Sequence, residues 1–170
     1  MTTLARLDFA FAHIASPQKA QLQKLYAHYA DRIVVAKGSK TKHQAWDGGY
    51  IDHISDCCEI AVRLYKTLNE WRALPFTLGD VMLVLLIHDL EKPFKYSQKP
   101  LTIDDSKSFI LELLTEFGIT LTPEQKNGFL YVHAEPDSEY SQTERIMNEL
   151  AAFCHSCDVL SARVYYDKEA

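Results

Sequence analysis

Seven consecutive apolar residues, Val81 to Ile87, run without a break into His88 and Asp89. A helix that is apolar all round has no face to offer water, so it must pass through the middle of a domain with other elements packed about it. The run is also far short of the about 18 residues needed to cross a bilayer, which makes it a core helix and not a membrane span. The whole chain has 170 residues. A domain of that size buries about 70% of the surface its unfolded chain exposes, so it folds without a staple or a partner. With no internal repeat, low-complexity tract or linker, residues 1–170 read as a single domain.

The flanking segments supply the helices that would surround this core. Ser16-Pro17 offers an N-cap followed by proline at the first helical position, and Leu22, Leu25, Tyr26, Tyr29 and Ile33 follow at helical spacing. Lys37 to Gly49 holds three of the six glycines together with Lys37, Lys40 and Lys42, and reads as a loop. A helix is expected from about Tyr50 to Trp71, with Ile51, Ile54, Cys58, Ala61, Tyr65 and Leu68 as its stripe. Thr77 and Asp80 form a capping box for the apolar helix, which is expected to extend to about Leu90 and to be stopped by Pro93. Thr102 and Asp105 would cap a fourth helix that Gly118 closes, and Thr122-Pro123-Glu124-Gln125 opens a short fifth that ends near His133. The last helix is expected from about Ser141 to Tyr166, with Ile146, Leu150, Phe153, Cys157, Leu160 and Val164 facing inward. Only Arg32 to Lys37 alternates at all like a strand. The fold class is therefore all-α, a compact bundle of about six helices.

Lys plus Arg number 18 and Asp plus Glu 23, a net charge of −5. That balance argues against a general binder of extended nucleic acid or of membrane surfaces. Arg6 and Asp8 interrupt the apolar N-terminal stretch, which does not match a signal peptide, and four cysteines in no regular framework fit reduced thiols; the expected location is cytoplasmic. Cys154-x-x-Cys157 has zinc-like spacing, and Cys57-Cys58 would complete four thiolates. Adjacent residues on a helix point about 100° apart, however, and Cys58 and Cys157 fall on apolar stripes, so core packing is expected for them.

The chemistry is expected where the apolar helix ends. A buried carboxylate without a partner costs several kcal/mol, so an Asp and a His placed after seven apolar residues need compensation, and a metal provides it. The competing reading is a His-Asp pair at an exposed helix end, hydrogen-bonded to loops. Two further positions favour the metal: His53 early in the second helix, and Asp158 in the last helix, where Asp is a poor helix former beside an apolar stripe. Imidazole and carboxylate together suit Mn, Fe, Co, Ni or Mg, and a set without thiolates disfavours structural zinc.

His43-Gln44-Ala45-Trp46-Asp47-Gly48-Gly49-Tyr50-Ile51-Asp52-His53, Leu86-Ile87-His88-Asp89-Leu90-Glu91-Lys92 and Asp158-Val159-Leu160-Ser161-Ala162 occur in that order. In this order they resemble the HD superfamily of metal-dependent phosphohydrolases, an all-helical family, over roughly residues 40–165. Glu91 departs from the pattern, in which glycine is frequent. The resemblance implies that His53, His88, Asp89 and Asp158 hold one divalent metal, with Mn, Co, Ni, Fe or Mg all within the expectation. It implies that Lys92 contacts a substrate phosphate and that Glu91 acts as general base or orients water, against a plain reading of both as a solvated pair. His133 is expected to line the pocket as a proton donor or to bind a second metal. His155, three residues before Asp158, would join it as a second-metal ligand, against the plainer reading of a packed helical histidine. His43, with Lys40 and Lys42, would form an anion-binding rim in a glycine-containing loop, against the plainer reading of a mobile charged loop. Phe94 and Tyr96 are the aromatics to watch for base stacking.

The expected function is a phosphohydrolase for a small nucleotide or related phosphoester, through water activated by a metal. The alternatives are an HD-type di-iron oxygenase, which needs His133 and His155 on a second ion, and a non-catalytic nucleotide-binding module on the same scaffold. The expected partner is a small phosphorylated substrate, without membrane or extended nucleic acid. The family includes many dimers, so a homodimer is within the expectation.

Overall fold

The computed structural model describes residues 3–96, 100–136 and 138–167, and no strand occurs among them. A 3-10 turn, Thr3–Leu7, leads into α1 (Asp8–Ala12), α2 (Gln18–His28), α3 (Ala30–Ile33), α4 (Gly49–Trp71), α5 (Leu78–Ile87), α6 (Lys92–Lys95), α7 (Ser106–Glu116), α8 (Pro123–Tyr131) and α9 (Glu149–Val164). The six longest, α2, α4, α5, α7, α8 and α9, are the six read from periodicity. The segments α1, α3 and α6 have four or five residues, too few to show a period, and raise the helix number above the expected six.

The helix α5 forms the axis of the bundle. Thr77 and Asp80 make both halves of the capping box, and every side chain from Val81 to Ile87 is buried. It is surrounded by α4, α8 and α9, and α1 touches it. Gly128 lets α8 come close, since a Cβ there would stand 3.1 Å from both Val84 and Leu150. A buried helix end must also satisfy its last carbonyls. The Val84 carbonyl accepts from the His88 backbone N–H at 3.0 Å, and that of Ile87 from the Leu90 N–H at 3.3 Å. Leu85 O accepts from the His88 ring at 2.7 Å and Leu86 O from the Tyr26 hydroxyl at 2.6 Å. The terminus is thus satisfied by a site histidine and by a tyrosine from α2. Tyr26→Phe would leave Leu86 O without a donor in a dry interior and is expected to cost about 1–3 kcal/mol, read as a lower urea midpoint with unchanged slope.

Several boundaries differ from expectation for local reasons. Ser16 makes no side-chain cap, because Pro17 itself is the N-cap of α2. Asp105 alone caps α7, through the N–H groups of Lys107 and Ser108, and Thr102 lies outside it. The axis helix ends at Ile87 and not near Leu90, and Pro93 sits in the first turn of α6, where it has no hydrogen bond to lose. The chain from Arg32 to Lys37 continues α3 into a turn and pairs with nothing as a strand. The last helix starts at Glu149 and not near Ser141. Its cap is Asn148, which accepts from Ala151 N–H, while Ser141 Oγ accepts from the N–H groups of Thr143 and Glu144 and holds the approach in turns. Ile146 therefore precedes the helix. Leu150, Phe153 and Cys157 face the core as expected, but Leu160 and Val164 are exposed, and Ser161 takes the buried position on that turn. Phe94 packs edge-on against Tyr29 and Phe109 in the core, so it offers no open face to a base. No helix among the described residues is long and apolar enough to cross a membrane.

Candidate metal centre

The loop before α4 sets the position of His53. Gln44 is buried with φ +40°, and Gly38 and Gly49 press against it. A Cβ on Gly49 would stand 2.0 Å from the Gln44 carbonyl oxygen, and one on Gly38 would stand 2.8 Å from Gln44 Cβ. The Gln44 amide nitrogen donates to Tyr165 O at 2.7 Å and Ser161 O at 3.3 Å, which ties the loop to the end of α9. Its amide oxygen is then the acceptor for His43 Nδ1–H at 2.7 Å. Gly49→Ala must push the Gln44 carbonyl away. It is expected to destabilise by about 2 kcal/mol or more, visible as a lower thermal midpoint, and to weaken metal retention by moving His53.

Besides His43, three histidines have Nδ1 tied to an oxygen acceptor. His88 Nδ1–H donates to Leu85 O at 2.7 Å, and His53 Nδ1–H to Ser161 Oγ at 3.0 Å. His155 Nδ1–H donates to Val132 O at 2.7 Å. This is the arrangement in which a metal-binding imidazole is oriented by its other nitrogen. The Nε2 atoms of His53 and His88 meet the two carboxylates. His53 Nε2 is 3.2 Å from Asp158 Oδ1 and 3.4 Å from Asp89 Oδ2. His88 Nε2 is 3.3 Å from Asp89 Oδ2 and 3.7 Å from Asp158 Oδ1. Ligand atoms about 2.1 Å from a shared ion stand about 3.0 Å apart at right angles and about 3.4 Å apart in a tetrahedron. These four separations are in the range of neighbouring ligands on a divalent cation, with Asp158 grouping with His53 and His88, and Asp89 with His88 and His133. His88 Nε2 and Asp89 Oδ2 are, moreover, buried without a hydrogen bond, although Lys92 ion-pairs with Asp89.

The carboxylates turn their remaining oxygens toward His133. Its Nε2 is 3.4 Å from Asp89 Oδ1 and 3.9 Å from Asp158 Oδ2, and the ring is about half exposed. His133 thus stands on the open side of the cluster. A cleft of about 520 Å³ begins there, lined by Lys42, His43, His133, His155, Asp158 and Arg163 among others.

Charge is concentrated at the cluster. Burial opposes ionisation of His88, but Asp89 and Asp158 outweigh it and hold the imidazolium to about 10. Burial would likewise raise the Asp89 carboxyl, yet the charges of His88 and Lys92 bring it well below the usual range. Asp158 is also desolvated, and the His53 and His88 rings take it far below an ordinary carboxylate. Glu91 goes the other way, raised by burial and by the charge of Asp89. His43 is lowered by burial and by the nearby charges of Lys92 and His53.

The four expected ligands, His53, His88, Asp89 and Asp158, are therefore brought together from α4, the end of α5 and α9. His133, His43 and Lys42 reach the adjoining cleft. His155 lines the cleft but joins neither group of converging ligand atoms among the described residues. Glu91 and Lys92 are not among the residues lining it, and Lys92 pairs with Asp89 Oδ2, the oxygen that also faces His53 and His88. Sequence reasoning missed Gln44, Ser161 and Cys57. A buried glutamine and a helical serine carry no spacing signal. Cys57 had one, since it follows His53 by one helical turn and so shares its face.

Comparison with protein-family models, with curated proteins and with solved structures gives no match. The fold and site thus define a helical protein with a buried histidine–carboxylate cluster open to a cleft.

Proposed function

We propose that this chain is an HD-type metal-dependent phosphohydrolase acting on a small nucleotide or related phosphoester. The observation that carries the reading is the convergence of His53 Nε2, His88 Nε2, Asp89 Oδ2 and Asp158 Oδ1, with His88 Nε2 buried and lacking a hydrogen bond. A divalent ion held there would lower the pKa of a water toward about 7 and polarise a phosphoryl oxygen.

The chain's own residues supply the rest. Ser161 Oγ and Leu85 O orient the two imidazoles. A cation beside Asp89 would compete with the Lys92 ammonium for that carboxylate, and Lys92 would then be the point charge available to a substrate phosphate. His133, half exposed and 3.4 Å from Asp89 Oδ1, stands where it can give a proton to a leaving oxygen. Glu91 does not line the cleft, and its candidacy as general base comes from the resemblance alone. His43 donates through Nδ1 to Gln44, which leaves its Nε2 as an acceptor beside the cleft. Lys42 adds positive charge to the cleft lining in a protein whose net charge is −5. The cleft's volume of about 520 Å³ lies within the range of small-ligand sites.

The second reading, an HD-type di-iron oxygenase, is favoured by one observation: both carboxylates present a second oxygen to His133. A phosphate-release screen over mono-, di-, tri- and cyclic nucleotides, run after metal analysis and with added Mn or Co, separates these readings. Phosphate release that disappears in a His88→Ala, Asp89→Ala double variant supports the hydrolase. Iron content with oxygen consumption and no phosphate release replaces it by the oxygenase. Metal binding with neither activity leaves a nucleotide-binding module.

A further inference from the structure

The four ligands described above are nitrogen and oxygen donors only, yet a sulfur lies beside them. Cys57 stands one turn after His53 on α4, fully buried, with Sγ 3.8 Å from His53 Nε2 and 3.9 Å from Nδ1. One ligand atom from each of His53, Cys57, His88 and Asp158 lies within 4.8 Å of the other three. We propose that Cys57 is a ligand of the metal centre, so that its inner side is a two-nitrogen, one-sulfur, one-oxygen set selecting a thiophilic divalent ion, zinc, iron(II) or cobalt(II), over magnesium or manganese.

The sulfur–nitrogen separation is close to the one such a set requires. With ion–sulfur about 2.3 Å and ion–nitrogen about 2.05 Å, tetrahedral sulfur and nitrogen stand about 3.6 Å apart. Sγ is 3.8 Å from His53 Nε2, and Asp158 Oδ1 is 3.2 Å from His53 Nε2 and 3.7 Å from His88 Nε2. His88 Nε2, buried and without a hydrogen bond, independently marks the place as made for a ligand. The sulfur flanks the His53 ring, nearly equidistant from its two nitrogens, and would reach an ion on Nε2 by a turn about the Cys57 χ1 torsion. Coordination exchanges the S–H bond for a sulfur–metal bond and releases the proton to solvent. Asp89 converges with His88 and His133 in a second group on the cleft side. The centre is thus soft toward the core and hard toward the cleft, and softness sets which ions bind well.

This inference rests on the metal-centre reading but not on the hydrolase reading, and it is tested without an activity assay. Cobalt(II) titrated into the full-length metal-free protein is expected to give a near-ultraviolet sulfur-to-cobalt charge-transfer band. Cys57→Ser and Cys57→Ala should lose that band while keeping the visible absorption of bound cobalt. In zinc–manganese competition, Cys57→Ser should shift the bound ratio at least tenfold toward manganese. Cobalt bound to the native protein without a sulfur band overturns the proposal and leaves the metal centre standing. A band that persists in Cys57→Ser assigns the sulfur elsewhere and also overturns it. Failure of cobalt and zinc to bind at all removes both the proposal and the metal centre. Should the variants fold poorly, the native spectrum decides alone.

Discussion

Asp158→Asn is expected to abolish stoichiometric binding of a divalent ion and to lower phosphate release by about a thousandfold or more. The carboxylate of Asp158 faces His53 and His88 with Oδ1 and His133 with Oδ2, so it is shared by every imidazole of the cluster. The amide keeps the shape of the side chain and removes the charge that neutralises the ion. An ion's contribution to a phosphoryl transition state is several kcal/mol, and each 1.36 kcal/mol is tenfold in rate, which gives the expected loss. The helical circular dichroism should remain, because Asp158 lies at the edge of the core with 13% of its side chain accessible. Metal content and rate equal to the native protein in this variant would contradict the assignment.

The second large effect is on pH. Without an ion, the carboxylates hold the His88 imidazolium to about 10, whereas in the unfolded chain it titrates at 6.5. A group raised on folding contributes stability that is complete below the unfolded value and is lost as pH rises through the folded one. The depressed Asp89 and Asp158 contribute with the opposite sign, present above the unfolded value of 3.8 and lost on acidification. The metal-free protein is therefore most stable between about pH 4 and 6.5 as far as this cluster decides. An ion needs neutral imidazole, so its binding expels the His88 proton, and affinity should climb about tenfold per pH unit toward pH 10 for each proton displaced. Calorimetric titration in two buffers of different ionisation enthalpy should report release of at least one proton per ion at pH 7. The thermal stabilisation given by saturating metal should also be larger at pH 9 than at pH 6. An affinity flat in pH, with no proton released, would contradict this account of the charges.

The helices were legible in the sequence, and so were the four side chains that the fold brings together, for a physical reason. Capping boxes at Thr77 and Thr122, the αL glycine Gly118 and a long apolar period are local signals, and local signals survive into the fold. His88 and Asp89 stood out because a polar pair after seven apolar residues is out of place unless it is used. What was not legible depended on contacts distant along the chain. Gln44 bridges to Ser161 and Tyr165, more than a hundred residues on, and neither end announces the other. Leu160 and Val164 carried the inward period but fall on the open side of α9, where Ser161 takes the buried position. The start of α9 was missed because side-chain hydrogen bonds from Ser141 and Asn148 competed with a helix that composition alone allowed. Cys57 was passed over because cysteine on a helix beside a core is ordinarily packing, and only its closeness to the His53 ring marks it as more.

The most direct measurement is anomalous diffraction from crystals grown with zinc or manganese, recorded at the edge of the metal. The account predicts one strong peak per chain, within coordination distance of His53 Nε2, His88 Nε2 and Asp158 Oδ1, with Asp89 beside it. No peak at that position, or peaks only on the outer surface, would contradict it.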